Sequence, residues 1–180
     1  MRVRIAQELG ASLFEIETAN ELKDALKRAS QRMGFDHFAL SLEARASDDA
    51  DTEMLLHDYP DEWAKVYTSF DLAGRDPVRR ACDKAFGGFT WEGIGQLIPM
   101  TRGDRQMLAV GKECGIGDGF TIPRHLPSMA RGTFTFAVAP DRSLPHRWLV
   151  AAEYLGTLAL TTALKISGMA RTVALPRLSD

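Results

Sequence analysis

The sequence lacks the features that most often assign a function directly. Only two of its 180 residues are cysteines, Cys82 and Cys114, and they form no Cys-x-x-Cys pair, so we expect reduced thiols rather than a disulfide framework. None of the four histidines is paired with another at a metal-ligand spacing: His37, His57, His125 and His146. We therefore predict no metal site.

Catalytic and nucleotide-binding motifs are missing as well. The sequence contains no HExxH, GxSxG or Walker motif. The string Gly115-Ile-Gly117-Asp-Gly119 approaches the dinucleotide pattern, but Phe120 stands where that pattern requires glycine, so we predict a turn that leads into a strand. An enzyme would need a nucleophile with its base, or metal ligands, which the sequence does not group together. We expect a protein that is not an enzyme, with no catalytic residue and no cofactor.

The sequence has neither a basic surplus nor a long uncharged apolar run. Its 22 basic and 24 acidic residues give a net charge of -2, whereas a domain that binds DNA by itself is usually basic. The uncharged run Tyr154–Leu164 is too short to span a bilayer. Residues Met1–Gly10 lack the apolar core of a signal peptide. We therefore expect a cytoplasmic protein with no membrane contact.

What the sequence does contain is the patterning of one soluble domain. Thr18 and Glu21 form a capping box before a helix over Ala19–Met33, and Gly34 ends it. Alternating apolar residues predict a strand over Phe38–Leu42. Further helices are predicted over Pro60–Phe70, from Asp76 to about Phe86, over Asp104–Cys114 and over Pro145–Ala170, and strands over Gly119–Ile122 and Thr133–Val138. This order predicts an α+β fold, an α-β-α sandwich whose central, mainly antiparallel sheet is flanked by helices.

One series of aromatic, acidic and glycine residues is more specific. It consists of Tyr59-Pro-Asp-Glu-Trp63-Ala-Lys-Val-Tyr67, Asp76-Pro77-Val78, Phe89-Thr-Trp91 and Gly119-Phe-Thr-Ile-Pro123. In order and spacing this series resembles the autoinducer-binding domain of the LuxR family of quorum-sensing transcriptional regulators. The resemblance covers nearly the whole chain. It implies a GAF/PAS-like autoinducer-binding fold and a buried pocket for an N-acyl (or aryl) homoserine lactone.

The resemblance also implies how the lactone is held. The indole N–H of Trp63 would donate to the ring carbonyl, the carboxylate of Asp76 would accept from the amide N–H, and the hydroxyl of Tyr59 would donate to the amide carbonyl. Trp91 would pack against the lactone ring, and Tyr67 would close the pocket wall. These residue types match a ligand that has two carbonyl acceptors and one amide donor.

Other residues are assigned with them. By resemblance, Thr135 would assist an acyl oxygen, directly or through water. Cys82 and Val78 are possible residues of the acyl pocket, since they follow Asp76 on the predicted helix. Pro77 and Gly119 are expected to be structural.

Taken without the resemblance, the same residues have plainer interpretations. Asp76 is well placed to be only the N-cap of a helix, which is compatible with ligand binding because a carboxylate has two oxygens. Trp63, Tyr67 and Trp91 are well suited to be core aromatics, and Thr135 to be a solvent-facing strand residue. Tyr59, at the start of a helix, could equally be a surface tyrosine.

The sequence departs from the family pattern at two positions. His125 is followed by Leu126 rather than glycine, so this loop is expected to differ in shape. Arg79 stands where the family has a small or apolar residue. We expect Arg79 to face solvent; facing the pocket, it would favour a polar or aromatic acyl group.

The resemblance further implies an organisation and a set of partners. Residues 1–172 would form the autoinducer-binding domain, and residues 173–180 a linker toward a helix-turn-helix DNA-binding domain that this chain lacks. The implied partners are a small-molecule autoinducer, a second copy in a homodimer, and DNA only through the missing domain. A short LuxR-like anti-activator and a ligand-independent dimerisation module remain alternatives.

Overall fold

The computed structural model describes residues 2–44, 53–69, 76–126 and 130–168. The helices are α1 (Arg2–Leu13), α2 (Ala19–Met33), α3 (Asp61–Ser69), α4 (Pro77–Cys82), α5 (Ile94–Leu97), α6 (Arg102–Glu113) and α7 (Leu149–Ser167). The strands are β1 (His37–Ala44), β2 (Glu53–His57), β3 (Phe89–Thr90), β4 (Asp118–Leu126) and β5 (Ala130–Val138). Short 3₁₀ turns over Trp91–Gly93 and His146–Trp148 lead into α5 and α7.

The strands form one antiparallel sheet in the order β2-β1-β5-β4-β3. The register places Ala39 of β1 opposite Thr135 of β5, and Thr135 opposite Thr121 of β4. Ser41 and Thr133 form the next pair toward the end of β1. Since side chains alternate between faces, these five residues share one face of the sheet.

The other face of the sheet carries the main hydrophobic core. Phe38 and Leu40 of β1 and Phe134 of β5 are fully buried against α2 and α7. Helix α7 approaches the sheet closely, because a Cβ added to Gly156 would lie 2.8 Å from Cδ1 of Ile122. The long, small-residue face of α7 therefore sets the spacing between helix and sheet.

The face with Ala39, Ser41 and the threonines is covered by α3, α4 and α6. The sheet thus lies between two helical layers, and the predicted α-β-α sandwich is confirmed. The two layers differ in kind: one is filled with aromatic and aliphatic side chains, and the other encloses a cavity lined in part by small and hydroxyl side chains.

Several predicted boundaries are confirmed and two are wrong. Helix α2 has the predicted limits, and Gly34 ends it with a φ of 88°. Helix α4 ends at Cys82 rather than near Phe86, since the chain turns at Asp83 and Lys84. Helix α6 begins at Arg102, not at Asp104, because Thr101 is its N-cap and Asp104 completes a capping box from the third helical position.

The remaining differences concern the ends and short elements. Helix α7 begins after the 3₁₀ turn His146–Trp148 and is capped by Gly168, while the last two residues of the predicted helix lie outside the described residues. Phe70, the acidic segment 47–51 and the predicted linker 173–180 also lie outside them. Helices α1 and α5 and strands β2 and β3 were not predicted.

Among the described helices, only the segment His146–Ser167 has the length and apolar composition to cross a membrane, with a mean hydropathy of 1.3. In the structure its apolar side chains contribute to the core against the sheet. A core helix of a soluble domain has the same composition, so the feature alone is weak grounds for a membrane span.

Candidate ligand-binding site

A cavity of about 180 Å³ lies between the sheet and the layer of α3, α4 and α6. All eight residues predicted to contact a ligand or its acyl group line this one cavity: Tyr59, Trp63, Tyr67, Asp76, Val78, Cys82, Trp91 and Thr135. They come from three helical or loop segments and one strand, which are far apart in sequence. The fold therefore brings together residues that the sequence shows only as a spaced series.

Helix α3 contributes one aromatic wall. Trp63 and Tyr67 are four residues apart, so they lie on the same side of the helix, with ring centroids 6.0 Å apart. Trp63 is 6% exposed and packs with Tyr59, which immediately precedes the helix. Burial and neighbouring acidic groups raise the pKa of both tyrosines above the ordinary value, so both hydroxyls stay protonated and can donate hydrogen bonds.

Asp76 joins this wall to the start of α4. Its Oδ1 accepts a hydrogen bond from the Val78 backbone N–H at 2.8 Å, which makes it the N-cap, and Pro77 occupies the first helical position. Its Oδ2 accepts from the Tyr67 hydroxyl at 3.2 Å. Asp76 is 7% exposed, and this burial raises the pKa of its carboxyl, although the Val78 and Tyr67 hydrogen bonds act in the opposite direction.

Trp91 and two threonines form the opposite part of the wall. The Trp91 Nε1 donates to Thr121 Oγ1 at 3.0 Å, and Thr121 Oγ1 lies 2.8 Å from Thr135 Oγ1. Thr135 is 7% exposed and does not face solvent. Because the indole N–H is already bonded within the protein, Trp91 offers the cavity its ring rather than its donor.

Gly119 allows this position of Trp91. A Cβ added to Gly119 would lie 2.5 Å from Cε2 of the Trp91 ring, which is closer than real contacts permit. Only a glycine at this point of β4 lets the indole lie directly against the strand. Two positions earlier, Gly117 places the chain against the backbone of Pro140, so the glycine-rich string is a turn leading into β4, as predicted.

The cavity also has lining residues that were not predicted. They include Ala39, Ser41, Leu55, His57, Met107, Leu108, Gly111, Thr121 and Thr133. Alternation could have identified those on the strands: if Phe38, Leu40 and Leu42 face the core, then Ala39 and Ser41 must face the other layer. What the pattern did not indicate is that the helices over this second face leave a cavity.

Arg79 does not face solvent, so that expectation is wrong. It lines the cavity and forms an ion pair with Glu43 at the end of β1. Burial alone would lower the pKa of Arg79, but hydrogen bonding to Glu43 raises it, so the guanidinium is charged.

His125, at the other departure from the family pattern, places its Nε2 3.3 Å from the Cys82 carbonyl oxygen.

Neither metal binding nor thiol chemistry is suggested by this site. Within the described ranges, no three His, Cys, Asp or Glu residues are close enough together to hold a metal ion. Burial, helped by the charge of Asp76, raises the pKa of the Cys82 thiol to about 12, so it is protonated and unreactive near neutral pH.

An α-β-α sandwich with an internal cavity of mixed aromatic and polar lining is typical of a small-molecule-binding domain. The family description "Autoinducer binding domain" matches residues 18–166. The chain therefore belongs to the autoinducer-binding domain family of LuxR-type regulators. These regulators are transcription factors rather than enzymes, and membership confirms the expectation that the chain is not an enzyme.

Relatives and solved structures agree with this family. The chain is 21% identical over 129 residues to the transcriptional activator proteins AhyR of Aeromonas hydrophila and AsaR of Aeromonas salmonicida, covering 71% of the chain and 50% of each relative. It thus spans about half the length of the curated relatives it matches. Escherichia coli SdiA has a similar fold, with a TM-score of 0.73 at 17% identity over 97% of this chain and 72% of that one.

A second similar structure is the N-acylhomoserine lactone-dependent LuxR-family factor CepR2 of Burkholderia cenocepacia. Its TM-score is 0.72 at 15% identity, over 92% of this chain and 97% of that chain. At these identities the likeness concerns the fold.

Proposed function

We propose that this chain is the signal-binding domain of a LuxR-type quorum-sensing transcriptional regulator, which binds an N-acyl or aryl homoserine lactone in the cavity. Ligand binding would be coupled to homodimerisation and to DNA binding by a helix-turn-helix domain outside this chain. We further propose that residues 1–172 are the binding domain, that residues 173–180 lead to the DNA-binding domain, and that the regulator acts in the cytoplasm.

One observation carries this proposal: a single cavity wall holds donors and acceptors that match the lactone head group. Trp63 would donate to the ring carbonyl and Tyr59 to the amide carbonyl, while Asp76 would accept from the amide N–H. The Asp76 carboxylate has capacity for this bond, because its two oxygens together offer about four acceptor sites, and the bonds from Tyr67 and Val78 each use one. The Trp91 ring supplies a flat apolar surface for the lactone ring.

The energetics divide the ligand into two parts. A neutral hydrogen bond contributes about 0.5–1.5 kcal/mol, and one to charged Asp76 about 1.5–3 kcal/mol. Each buried methylene of the acyl chain adds about 0.8 kcal/mol. The contacts with the head group would therefore select homoserine lactones as a class. The part of the cavity near Ser41, Val78 and Cys82 would select which acyl group is bound.

A ligand-independent module or anti-activator is the alternative. Such a protein has no need of an internal cavity, and a collapsed cavity would have favoured it. The cavity of about 180 Å³ with buried Asp76 and Trp63 favours ligand binding instead.

The test is a thermal-shift series of the purified chain with acyl and aryl homoserine lactones of graded length. We expect one group of lactones to raise the melting temperature by several degrees, because a ligand that binds only the folded state stabilises it by mass action. Asp76→Asn should keep the N-cap, since asparagine caps helices equally well, but lose most of the shift.

Asp141→Asn provides the matched control. It makes the same chemical change at an exposed position that does not line the cavity, so the shift should equal that of the unaltered protein. If no lactone changes the melting temperature of protein that carries no bound small molecule, the proposed ligand class is wrong.

A further inference from the structure

At the far end of the cavity, the lining residue Arg79 forms an ion pair with Glu43 that the head-group contacts do not use. Ala39, Ser41 and Glu43 follow one another on the cavity face of β1, and Arg79 reaches Glu43 from α4. The two side chains are 24% and 25% exposed, so neither is freely solvated. Four residues of strand separate Ala39 from Glu43, which is about 13 Å at the usual rise per residue.

This ion pair uses only part of the hydrogen-bond donor capacity of Arg79. Both Glu43 oxygens are bound by the same nitrogen, Nη2. A guanidinium has five N–H groups, so those on Nε and Nη1 remain. Among the residues that the structure describes, no acceptor is found for the N–H groups on Nε and Nη1, and Arg79 lines the cavity.

A second arginine lies at the same end of the sheet. Arg131 of β5 stands opposite Glu43 in the register and forms an ion pair with Asp83. Its Nε is buried and has no hydrogen-bond partner among the described residues. Two arginines and two carboxylates thus give this end of the sheet surplus donors but no net charge.

We propose that the ligand carries a neutral oxygen acceptor, a hydroxyl or carbonyl, on the part of its acyl group farthest from the lactone ring, and that Arg79 binds this oxygen. The inference rests on the proposed function, since it concerns the acyl group of the same ligand. A bare alkyl end would cover the remaining N–H groups of Arg79 without offering them an acceptor, at a cost in free energy. A carboxylate would lie beside Glu43, which already neutralises Arg79.

The distance from the head-group contacts distinguishes this oxygen from one near the amide. Thr135, proposed to contact the amide region, stands opposite Ala39, whereas Arg79 pairs with Glu43 four residues further along β1. The oxygen recognised by Arg79 would therefore belong to the distal part of the acyl group. Arg79 is then a residue that determines specificity.

The experiment measures dissociation constants for hexanoyl, octanoyl and decanoyl homoserine lactones, each as the plain, ω-hydroxy and ω-carboxy compound. At the best length we expect the ω-hydroxy compound to bind roughly tenfold more tightly than the plain one, a difference of about 1.4 kcal/mol. The ω-carboxy compound should bind more weakly than the ω-hydroxy compound.

Two variants test the assignment. In Arg79→Met combined with Glu43→Gln, the donors are removed without leaving a buried unpaired charge, and the preference for the hydroxyl should disappear. Arg142→Met is the matched control, because Arg142 also forms an ion pair, with Asp36, but does not line the cavity. It should keep the preference.

The outcomes separate the two proposals. Equal binding of plain and ω-hydroxy lactones at every length, or a preference that survives the double substitution, would overturn this inference and leave the proposed function in place. Tighter binding of the ω-carboxy compound would overturn the requirement for a neutral acceptor. Absence of binding by every lactone would overturn both.

Discussion

Asp76 connects folding to ligand binding at the scale of a single residue. One oxygen is committed to the start of α4 and the other to the Tyr67 hydroxyl. Burial raises the pKa of the carboxyl above its ordinary value of 3.8 in the ligand-free protein. A ligand amide N–H bonded to the charged carboxylate would lower this pKa again, so ligand binding and proton release are linked.

We therefore predict that lactone affinity falls as the pH decreases from neutral toward about pH 4. Because the pKa of Asp76 is raised on folding, its contribution to stability is present at low pH and is lost as the pH rises through the folded-state value. The ligand reverses that loss by bonding the charged form, so its stabilising effect grows with pH. Thermal shifts with and without lactone across this range measure the effect.

Asp76→Asn is the control for this pH dependence. Its remaining binding should vary much less with pH than binding to the unaltered protein. A lactone-induced shift that has the same size at both ends of the range in the unaltered protein would contradict the linkage.

Gly119 is a second residue at which a small change should affect binding, because an added Cβ would clash with the Trp91 ring. Gly119→Ala would force the Trp91 ring away from β4 and break its hydrogen bond to Thr121, so we predict at least a tenfold loss of lactone affinity, or about 1.4 kcal/mol. Gly95→Ala is the matched control, since the added Cβ would meet Met100 at an ordinary 3.8 Å. Calorimetric titration of both variants tests this. Equal affinities would mean that the position of Trp91 is irrelevant to binding.

At the scale of elements, α4 is short but carries much of the cavity. Within one and a half turns it presents Val78, Arg79 and Cys82 to the cavity, following Asp76 at its N-cap. Its outer side is tied to α6, because Arg80 donates to Asp104 at 2.8 Å. Asp104 is itself held by the capping box with Thr101. The start of α6 therefore helps to position the cavity wall.

This arrangement predicts different effects for two equivalent capping substitutions. Thr101→Ala and Thr18→Ala each remove a capping box and should each lower the free energy of unfolding by about 1 kcal/mol. Only Thr101→Ala should also weaken lactone binding, because only its helix supports α4. Denaturant unfolding and calorimetric titration measure the two effects. Loss of affinity in both variants to the same extent would show that general destabilisation is responsible.

The elements also show what could be predicted from the sequence. Helix α2 was predicted to the residue because its limits depend on local chemistry, a capping box and a glycine stop. Strand β3 and helix α5 are only two and four residues long, too short for periodicity to indicate them. The end of α4 was misplaced because a turn stops the helix before the apolar pattern ends. The start of α6 was misplaced because Thr101 is its N-cap.

For the candidate site, the contacts between distant residues were the part that the sequence could not predict. The spaced series from Tyr59 to Thr135 predicted residues that line one cavity, although their contacts with a ligand remain predictions. The pairing of Thr121 with Thr135 follows from a strand register that the sequence did not indicate. The direction of Arg79 depends on Glu43, which is 36 residues away in sequence. Such long-range pairings are determined by tertiary structure.

At the scale of the whole molecule, the cavity lowers the stability of the fold, and a bound ligand would restore it. The side chains around a cavity forgo dispersion contacts that a ligand would supply. A ligand present at a hundred times its dissociation constant would stabilise the fold by about 2.7 kcal/mol, a large part of the 5–15 kcal/mol typical of a domain. The folded population would thus depend on the supply of ligand.

A larger side chain that fills the cavity should make folding independent of the ligand. Ala39 lies on the cavity floor between His57 and Thr135, so Ala39→Leu would occupy part of the cavity. We predict that this variant gives more soluble protein without lactone than the unaltered chain, and that lactone no longer raises its melting temperature. Ala25→Leu, on a helix away from the cavity, is the control and should retain the response. A normal lactone shift in Ala39→Leu would contradict the proposed location of the ligand.

The alternation of β1 and β5 has one further consequence, which concerns change over many generations. Neighbouring residues of the same strand have different roles. Leu40 and Phe134 pack in the hydrophobic core, while Ser41 and Thr133 line the cavity. A substitution on the cavity side leaves the packing of the other layer intact. New ligand preferences can therefore arise by single steps without loss of the scaffold, and the same property makes this sheet face a starting point for laboratory evolution of biosensors.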